Sequence, residues 1–532
     1  MTTQFLPRVA KASIVSLLFW LGMAGALFAA DDGKTIYEQA AANVQAGHPE
    51  AAITLVEPWI KSHPDDLRAL TLMGMAISAA GKFADANSYF ERALRIRPAY
   101  PPALKGLAMS EMALKQYDAA QTHFAKLLAA SPGDPVAHAG LGEIAFAHED
   151  FADAIRHFEQ AGSLPRENAR VLLDYTKARI ALKQPDKAAA LVGDLPDDSD
   201  AQAHFEAGVL LASLKSYRPA AHQFELALPA YPDQYAAGFN LVLARVKSQE
   251  YGSAIAEGQR LLAAGHQKAE LYNLLAEAYE KAGDTKRAYD SLRLATKIEP
   301  SNEANYIDLI SLCIDHKNYD LASEIGAVGL ARLPSSARIR VQVGVVFAMK
   351  EQFEEAQKQF EIAERLAPGR SLSYVALALV LMQMNRAGDA VQKLRERVRQ
   401  SPDDYLALWY LGEALNRNGT TKGSPEQKEA IAALQRSVQL NADISQSHEL
   451  LGKLLYREDR LDEAANQLET AIRLEPGNEA AIYQLAQVYK KQGNALRAKE
   501  LFSKVSKMKT EERENFASRR LQQIVRADSQ TQ

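Results

Sequence analysis

The sequence is poor in features that mark several large classes of protein. Only one of its 532 residues, Cys313, is a cysteine, so no intramolecular disulfide can form. Its 62 basic and 66 acidic side chains nearly cancel, and neither sign forms a long block. Because a nucleic-acid-binding protein needs a concentrated basic surface, this balance argues against nucleic acid as a partner.

Recognisable catalytic and cofactor motifs are also missing. The sequence contains no phosphate-binding loop, no dinucleotide fingerprint, no Gly-x-Ser-x-Gly nucleophile turn and no His-Glu-x-x-His zinc pair. These absences predict a protein that is not an enzyme and that uses no cofactor and no metal.

An apolar run occupies residues 12–30, after Arg8 and Lys11 and before the first acid, Asp31. A positive start, an apolar middle and small residues at the end are typical of a secretory signal. The run is also about 19 residues long, which is enough to span a bilayer as an uncleaved anchor. We therefore expect residues 1–30 to be a signal peptide, and the protein to be periplasmic or secreted. The alternative is an inner-membrane anchor, with membrane contact only through residues 12–30.

A repeat of 34 residues runs through most of the chain, and it is clearest as a column of alanines. The column comprises Ala52, Ala86, Ala120, Ala154, Ala188, Ala220, Ala254, Ala288, Ala322, Ala356, Ala390, Ala430, Ala464 and Ala498. Its spacing is interrupted by a two-residue deletion after Ala188 and by an insertion at 418–424. Counted from residue 33, the pattern gives fourteen repeats, in which the alanine is position 20.

Other positions of the repeat alternate between small and large residues. Position 8 is mostly Gly or Ala, positions 4, 7, 11 and 24 are large, and position 32 is often Pro, which ends a helix. With this pattern the chain resembles the tetratricopeptide repeat family, as an exported bacterial type. The resemblance implies an all-α, right-handed α-solenoid of about fourteen helical hairpins over residues 31–508. We expect a C-terminal capping helix at 509–526 and a polar tail at 527–532.

The resemblance also indicates where a partner binds. In this family the first helix of each hairpin lines a concave groove through positions 2, 5, 9, 12 and 13. The residues predicted there are Phe205, Phe239, Val341, Val345, Met349, Leu379, Met382, Trp409, Arg417 and Tyr456. The aliphatic members fit packing between hairpins equally well, whereas Trp409 and Tyr456, beside charged residues, are better anchors. The carboxylate clamp of chaperone adaptors is not reproduced, because Lys105 is followed by Met109 four residues on.

Two kinds of potentially reactive residue fall in packing columns. Cys313 lies at position 11, and His138, His204 and His448 lie at position 4, so we expect all four to be buried packing residues. The predicted function is a non-catalytic scaffold or adaptor of the bacterial cell envelope, which binds peptides or helices of envelope proteins in its groove. The alternative is a substrate-recognition subunit of an envelope enzyme or of a polysaccharide or pilus export complex.

Overall fold

The computed structural model describes residues 34–193 and 195–508, and every regular element in these ranges is helical. The all-α solenoid prediction is confirmed. None of the helices in these ranges combines the length and the apolar character needed to cross a bilayer. The predicted signal or anchor at 1–30, the capping helix at 509–526 and the tail at 527–532 lie outside the described residues.

The described helices pair into fourteen hairpins and fall into two compact units, divided between Ala288 and Tyr289. The N-terminal unit contains α1 (Lys34–Gln45), α2 (Pro49–Ser62), α3 (Leu67–Ala79), α4 (Phe83–Ile96), α5 (Pro101–Ala113), α6 (Tyr117–Ala130), α7 (Pro135–Ala147), α8 (Phe151–Gln160), a 3-10 turn (Leu164–Arg166), α9 (Ala169–Ala181), α10 (Pro185–Val192), α11 (Ala201–Ser213), α12 (Tyr217–Ala227), α13 (Gln234–Lys247), α14 (Tyr251–Ala263) and α15 (Ala269–Lys281).

The division falls within α16 (Thr285–Ile298). The C-terminal unit continues with α17 (Glu303–Asp315), α18 (Tyr319–Arg332), α19 (Ala337–Met349), α20 (Phe353–Leu366), α21 (Ser371–Gln383), α22 (Ala387–Gln400), α23 (Tyr405–Arg417), α24 (Pro425–Leu440), α25 (Ser445–Arg457), α26 (Leu461–Leu474), α27 (Glu479–Lys491) and the helical stretch 495–508, called α28 here.

Several first helices begin at a capping side chain. The Asp66 carboxylate accepts hydrogen bonds from the amides of Arg68 and Ala69, which opens α3. Asp134 caps α7 in the same way, and proline follows it at the first helical position. A side-chain acceptor before a helix pairs amides that have no partner within the helix, and proline has no amide to pair.

The alanine column is the centre of the packing within each hairpin. None of its fourteen members is more than 4% exposed. The small residue at position 8 lies against the side chain at position 24. A Cβ atom placed on Gly74 would lie 2.6 Å from the Phe90 ring, and one on Gly344 would lie 2.5 Å from Phe360. Glycine at position 8 therefore makes room for a buried aromatic ring.

The turns inside the hairpins need a left-handed backbone, which glycine adopts without strain. Gly81, Gly283 and Gly493 have φ angles of +79°, +83° and +83°. In nine other turns the same conformation is held by a residue with a side chain, such as Lys215 at +60° or Glu351 at +59°. The hairpin geometry thus overrides local preference where glycine is lacking.

The two helices of a hairpin lie on different faces of the C-terminal unit. The first helices contact one another directly, in the pairs α17–α19, α19–α21, α21–α23, α23–α25 and α25–α27. The second helices α20, α22 and α24 instead border a cleft of about 820 Å³, bridged by ion pairs such as Lys393–Glu364 (3.0 Å) and Arg395–Glu429 (2.5 Å). We call the surface of α17, α19, α21, α23, α25 and α27 the first-helix face.

Candidate partner-binding surface

The structure divides the ten predicted groove residues into a buried and an accessible group. Phe205, Phe239, Val341 and Met382 are buried. Val345, Trp409 and Tyr456 are half-buried, while Met349, Leu379 and Arg417 are exposed. All six accessible residues belong to the C-terminal unit.

Aromatic neighbours remove the two phenylalanines of the N-terminal unit from the surface. The Phe205 ring stacks on Tyr231, with ring centroids 4.1 Å apart, and Phe205 is 3% exposed. Phe239 packs against Tyr235 at 5.7 Å and is 2% exposed. Lys268 covers the other side of this cluster, since its Nζ lies 3.7 Å from the centre of the Tyr235 ring. Both phenylalanines are core residues, and a buried ring offers no surface to a partner.

Val341 and Met382 are buried for a simpler reason. Both belong to the main hydrophobic core of the C-terminal unit, where Met382 is 1% exposed. Position 5 and position 12 therefore point partly into the contact between successive hairpins. This outcome is the packing alternative that the sequence left open for the aliphatic residues.

An apolar patch remains accessible on α19 and α21. We define the C-unit patch as Val345, Met349, Leu372 and Leu379. Leu372 is 55%, Met349 52% and Leu379 36% exposed. Leu372 is not among the groove residues predicted from the sequence, although it stands at position 2 of its repeat, one of the columns that the family resemblance assigns to the groove.

Aromatic and charged side chains continue the first-helix face beyond the C-unit patch. The Trp409 and Tyr410 rings lie 4.4 Å apart on α23. Burial raises the pKa of Glu413, and the Arg417 charge partly opposes that shift. On α25, the Tyr456 ring has the Lys491 ammonium 4.9 Å from its centre. This part of the face offers flat rings flanked by charges of both signs.

A cavity of about 320 Å³ opens at the amino-terminal ends of α19 and α21. Its apolar wall comprises Ile307, Ala337, Val341 and Leu372, and its polar lining comprises Arg338, Gln342, Arg370, Ser371 and Ser373. The lining thus combines aliphatic side chains, two guanidinium groups and two hydroxyls.

The negative charge of one acid beside this cavity is already balanced by a neighbouring arginine. The Glu303 carboxylate accepts hydrogen bonds from Ser336 Oγ at 2.6 Å and from Arg338 Nη1 at 2.9 Å. Burial alone pushes the pKa of Glu303 upward, but these two donors outweigh it, so its pKa is lowered. Glu303 therefore stays ionised and holds Arg338 in place.

The insertion at 418–424 is an ordered connection to the next hairpin. The Gly423 amide donates to Glu458 Oε1 at 2.7 Å, and Lys422 forms an ion pair with Asp459. The last residue of the insertion, Ser424, caps α24 by accepting a hydrogen bond from the Gln427 amide. These contacts tie the insertion to the turn between α25 and α26.

The residues predicted to be inert packing groups behave as expected. Cys313 is buried, and burial raises the pKa of its thiol to about 11, so the reactive thiolate is strongly disfavoured. His204 and His448 are each held by a glutamine oxygen, at 2.7 and 2.6 Å. Throughout 34–193 and 195–508, no group of three or more His, Cys, Asp or Glu side chains could hold a metal ion.

Comparison with solved structures returns other helical proteins at low identity. The crystal structure of the yeast Tom70 aligns with 81% of this chain and 98% of its own, at 18% identity and a TM-score of 0.39. The APC/C hetero-tetramer Cut9–Hcn1 aligns over 90% and 94%, at 14% identity and a TM-score of 0.36. YrrB, titled a TPR protein with an unusual peptide-binding site, aligns over 36% and 97%, at 20% identity and a TM-score of 0.28.

Sequence comparison identifies the family directly. No curated protein matches the whole chain or a part of it significantly. Family models described as tetratricopeptide repeat match residues 37–101, 78–144, 145–208, 269–302, 375–443, 428–481 and 455–518, which together make up more than half of the chain. The chain belongs to the tetratricopeptide repeat family.

Proposed function

We propose that the protein is a non-catalytic scaffold or adaptor that binds segments of partner proteins on the first-helix face of its C-terminal unit. The observation that carries this proposal is the C-unit patch, because the aliphatic side chains of Leu372, Met349 and Leu379 stay exposed on the neighbouring first helices α19 and α21. Apolar groups grouped on one face are a common feature of protein-binding surfaces. A partner helix or extended peptide would remove them from water.

The non-catalytic part of the proposal rests on the state of the reactive side chains. The one thiol is buried with a raised pKa, and His204 and His448 are held by packing contacts. A nucleophile needs an accessible, activated group beside a base. Neither Cys313 nor these histidines meets that requirement.

We propose the bacterial cell envelope as the setting, with envelope proteins as partners. The support is the composition of residues 8–31 alone, which is typical of an export signal or an anchor. Fractionation of cells that express the full chain checks this part. Recovery of the protein in the cytosol, with residues 12–30 still attached, would contradict it.

The binding proposal is tested by co-purification from the native cells. In the variant Met349→Asp/Leu379→Asp, two charges stand in the C-unit patch, at positions where the folded chain is open to solvent. The control is Val328→Asp, which alters an equally exposed aliphatic residue on α18, a second helix. Quantitative mass spectrometry should show one or a few proteins that are lost from the double variant and retained by the control.

Two outcomes of this experiment decide between alternatives. Equal recovery of every partner from both variants would contradict binding on the first-helix face. A lost partner that is itself an enzyme, with turnover dependent on this protein, would favour a substrate-recognition subunit of that enzyme or of an export complex.

A further inference from the structure

We propose that the cavity at the amino-terminal ends of α19 and α21 binds a peptide carboxylate that adjoins an aliphatic side chain. The inference rests on the proposed function, since it assigns the ligand chemistry to one end of the first-helix face. The carboxylate belongs at the start of α21, and the aliphatic group belongs against Ile307, Val341 and Leu372.

The start of α21 lacks the cap that neighbouring first helices have. α17 is capped by the Asn302 side chain, α19 by Ser336 and α23 by Asp404, each of which accepts a hydrogen bond from an amide of its helix. The corresponding residue of α21 is Arg370, which forms no side-chain cap. The first amides of a helix have no partner within the helix, and together with the helix dipole they favour an anion.

A buried hydroxyl points to a ligand independently of the helix end. Ser373 lines the cavity and is 1% exposed, and its Oγ has no hydrogen-bond partner among the residues that the structure describes. Burying a hydroxyl without a partner is unfavourable, and each such group in a native protein calls for an explanation. A carboxylate oxygen in the cavity would accept the hydrogen bond that Ser373 can donate.

The charges around the cavity favour an anion over a cation. Arg338 and Arg370 both line it, and the Glu303 carboxylate, paired with Arg338 at 2.9 Å, offsets only one of them. A second acid, Asp404, forms an ion pair with the buried Arg397 at 2.7 Å. Arg370 is exposed, so its guanidinium can approach a bound carboxylate.

The aliphatic wall distinguishes a peptide from a small inorganic anion. Leu372 is 55% exposed, and it stands beside Ile307 and Val341 in the same lining. The volume of about 320 Å³ lies at the lower end of the range for ligand pockets. Inorganic phosphate would use the amides and arginines but leave this wall in water. A leucine, isoleucine or valine next to an acid uses both halves of the site.

The test uses a phage-displayed library of random heptapeptides, selected on the immobilised full chain. Peptides that depend on the site should be enriched in Asp or Glu next to Leu, Ile or Val. The best of them is then synthesised with a fluorescent label, and its affinity is measured by anisotropy. We expect at least a tenfold loss of affinity when its acid is changed to the neutral amide, and a comparable loss in Arg370→Glu.

The matched control is Arg399→Glu, which makes the same charge change at an exposed arginine in the cleft between second helices. It should leave the affinity unchanged, whereas Ser373→Ala should weaken binding several-fold. The acid-to-amide change in the peptide needs no protein variant, so it remains decisive even if Arg370→Glu is unstable.

The outcomes separate this inference from the proposed function. Enriched peptides that bind the C-unit patch, and lose affinity in Met349→Asp/Leu379→Asp, yet carry no acid or ignore Arg370→Glu, would overturn the carboxylate assignment alone. Partners that co-purify equally with the patch variant and its control would overturn the proposed function. Competition by inorganic phosphate as strong as that by the peptide would show a simple anion site and contradict the peptide assignment.

Discussion

The two units are built from the same hairpin, yet they treat their first-helix residues differently. In the N-terminal unit, Val136 at position 2 is 4% exposed, whereas in the C-terminal unit Leu372 at the same position is 55% exposed. The 34-residue pattern fixes the direction in which a side chain points. Its neighbours, including residues from the connecting loops, decide whether it remains open to solvent.

Alanine substitutions at Phe205 and at Leu379 should show the largest difference in stability between a buried and an exposed first-helix residue. Phe205→Ala empties a packed aromatic cluster and should lower the free energy of unfolding of the N-terminal unit by about 3–5 kcal/mol. Leu379→Ala should lower that of the C-terminal unit by less than about 1 kcal/mol, because much of the side chain already contacts water. Urea titration followed by circular dichroism measures both. Similar losses in the two variants would contradict the division into core and surface.

Glycine at position 8 should matter equally in both units, because each unit uses it to hold a ring. A Cβ on Gly208 would lie 2.6 Å from the Phe224 ring, and one on Gly344 would lie 2.5 Å from Phe360. Alanine at either position should cost about 1–3 kcal/mol of stability through overpacking. Gly477→Ala is the control, because nothing lies within 4 Å of its Cβ position. An effect in only one unit would show that the two cores differ more than we describe.

The N-terminal unit should also respond to pH through Glu143 on α7. Burial and the Asp174 charge together raise the pKa of this carboxyl to about 7, although the Arg170 charge opposes the shift. Between the ordinary value of 4.5 and about 7, the folded state keeps a proton that the unfolded state has lost. Stability should therefore fall as pH rises through this window, by about 3 kcal/mol.

The control for the pH effect is the neutral isostere. Glu143→Gln should remove this pH dependence and stabilise the N-terminal unit at pH 8, as measured by urea titration at several pH values. An unchanged pH profile in the variant would show that another group is responsible.

The smallest expected effect concerns turns that hold a left-handed backbone without glycine. Lys215→Gly in the N-terminal unit and Glu351→Gly in the C-terminal unit should each raise stability by about 0.5–1 kcal/mol, because glycine relieves the strain of a positive φ angle. Thermal unfolding detects such a change. Gly283→Ala is the converse variant, with a φ angle of +83°, and should be destabilised. A loss of stability in both Lys215→Gly and Glu351→Gly would contradict this account of the turns.

Most of the fold could be predicted from the sequence, since a period of 34 residues constrains every helix at once. The first helices begin at or within one residue of the repeat starts, as with Leu67 and Ser371. The role of position 8 was only partly predictable. A glycine indicates a close approach, but it does not say whether a backbone or a ring such as Phe90 makes it.

The candidate surface was less predictable, because accessibility depends on contacts that the repeat does not encode. Phe205 is covered by Tyr231, which lies in the loop after the short helix α12, outside the groove columns. Leu372 could have been found from its position, but its exposure follows from an open cavity beside it. Likewise, Arg370 at a cap position hints at an unpaired helix end, but only the structure places Ser373 and Arg338 around it.

The central claim is that the C-terminal unit, and not the N-terminal unit, presents the binding surface. The most direct measurement is crosslinking in living cells from a photoreactive residue at position 379, with mass spectrometry of the products. Position 209 is the matched site in the N-terminal unit, since Val209 also stands at position 9 of its repeat, and position 328 is the second-helix control. We predict a specific partner captured from position 379 and none from positions 209 and 328. Capture from position 209 or 328, with none from 379, would contradict the account.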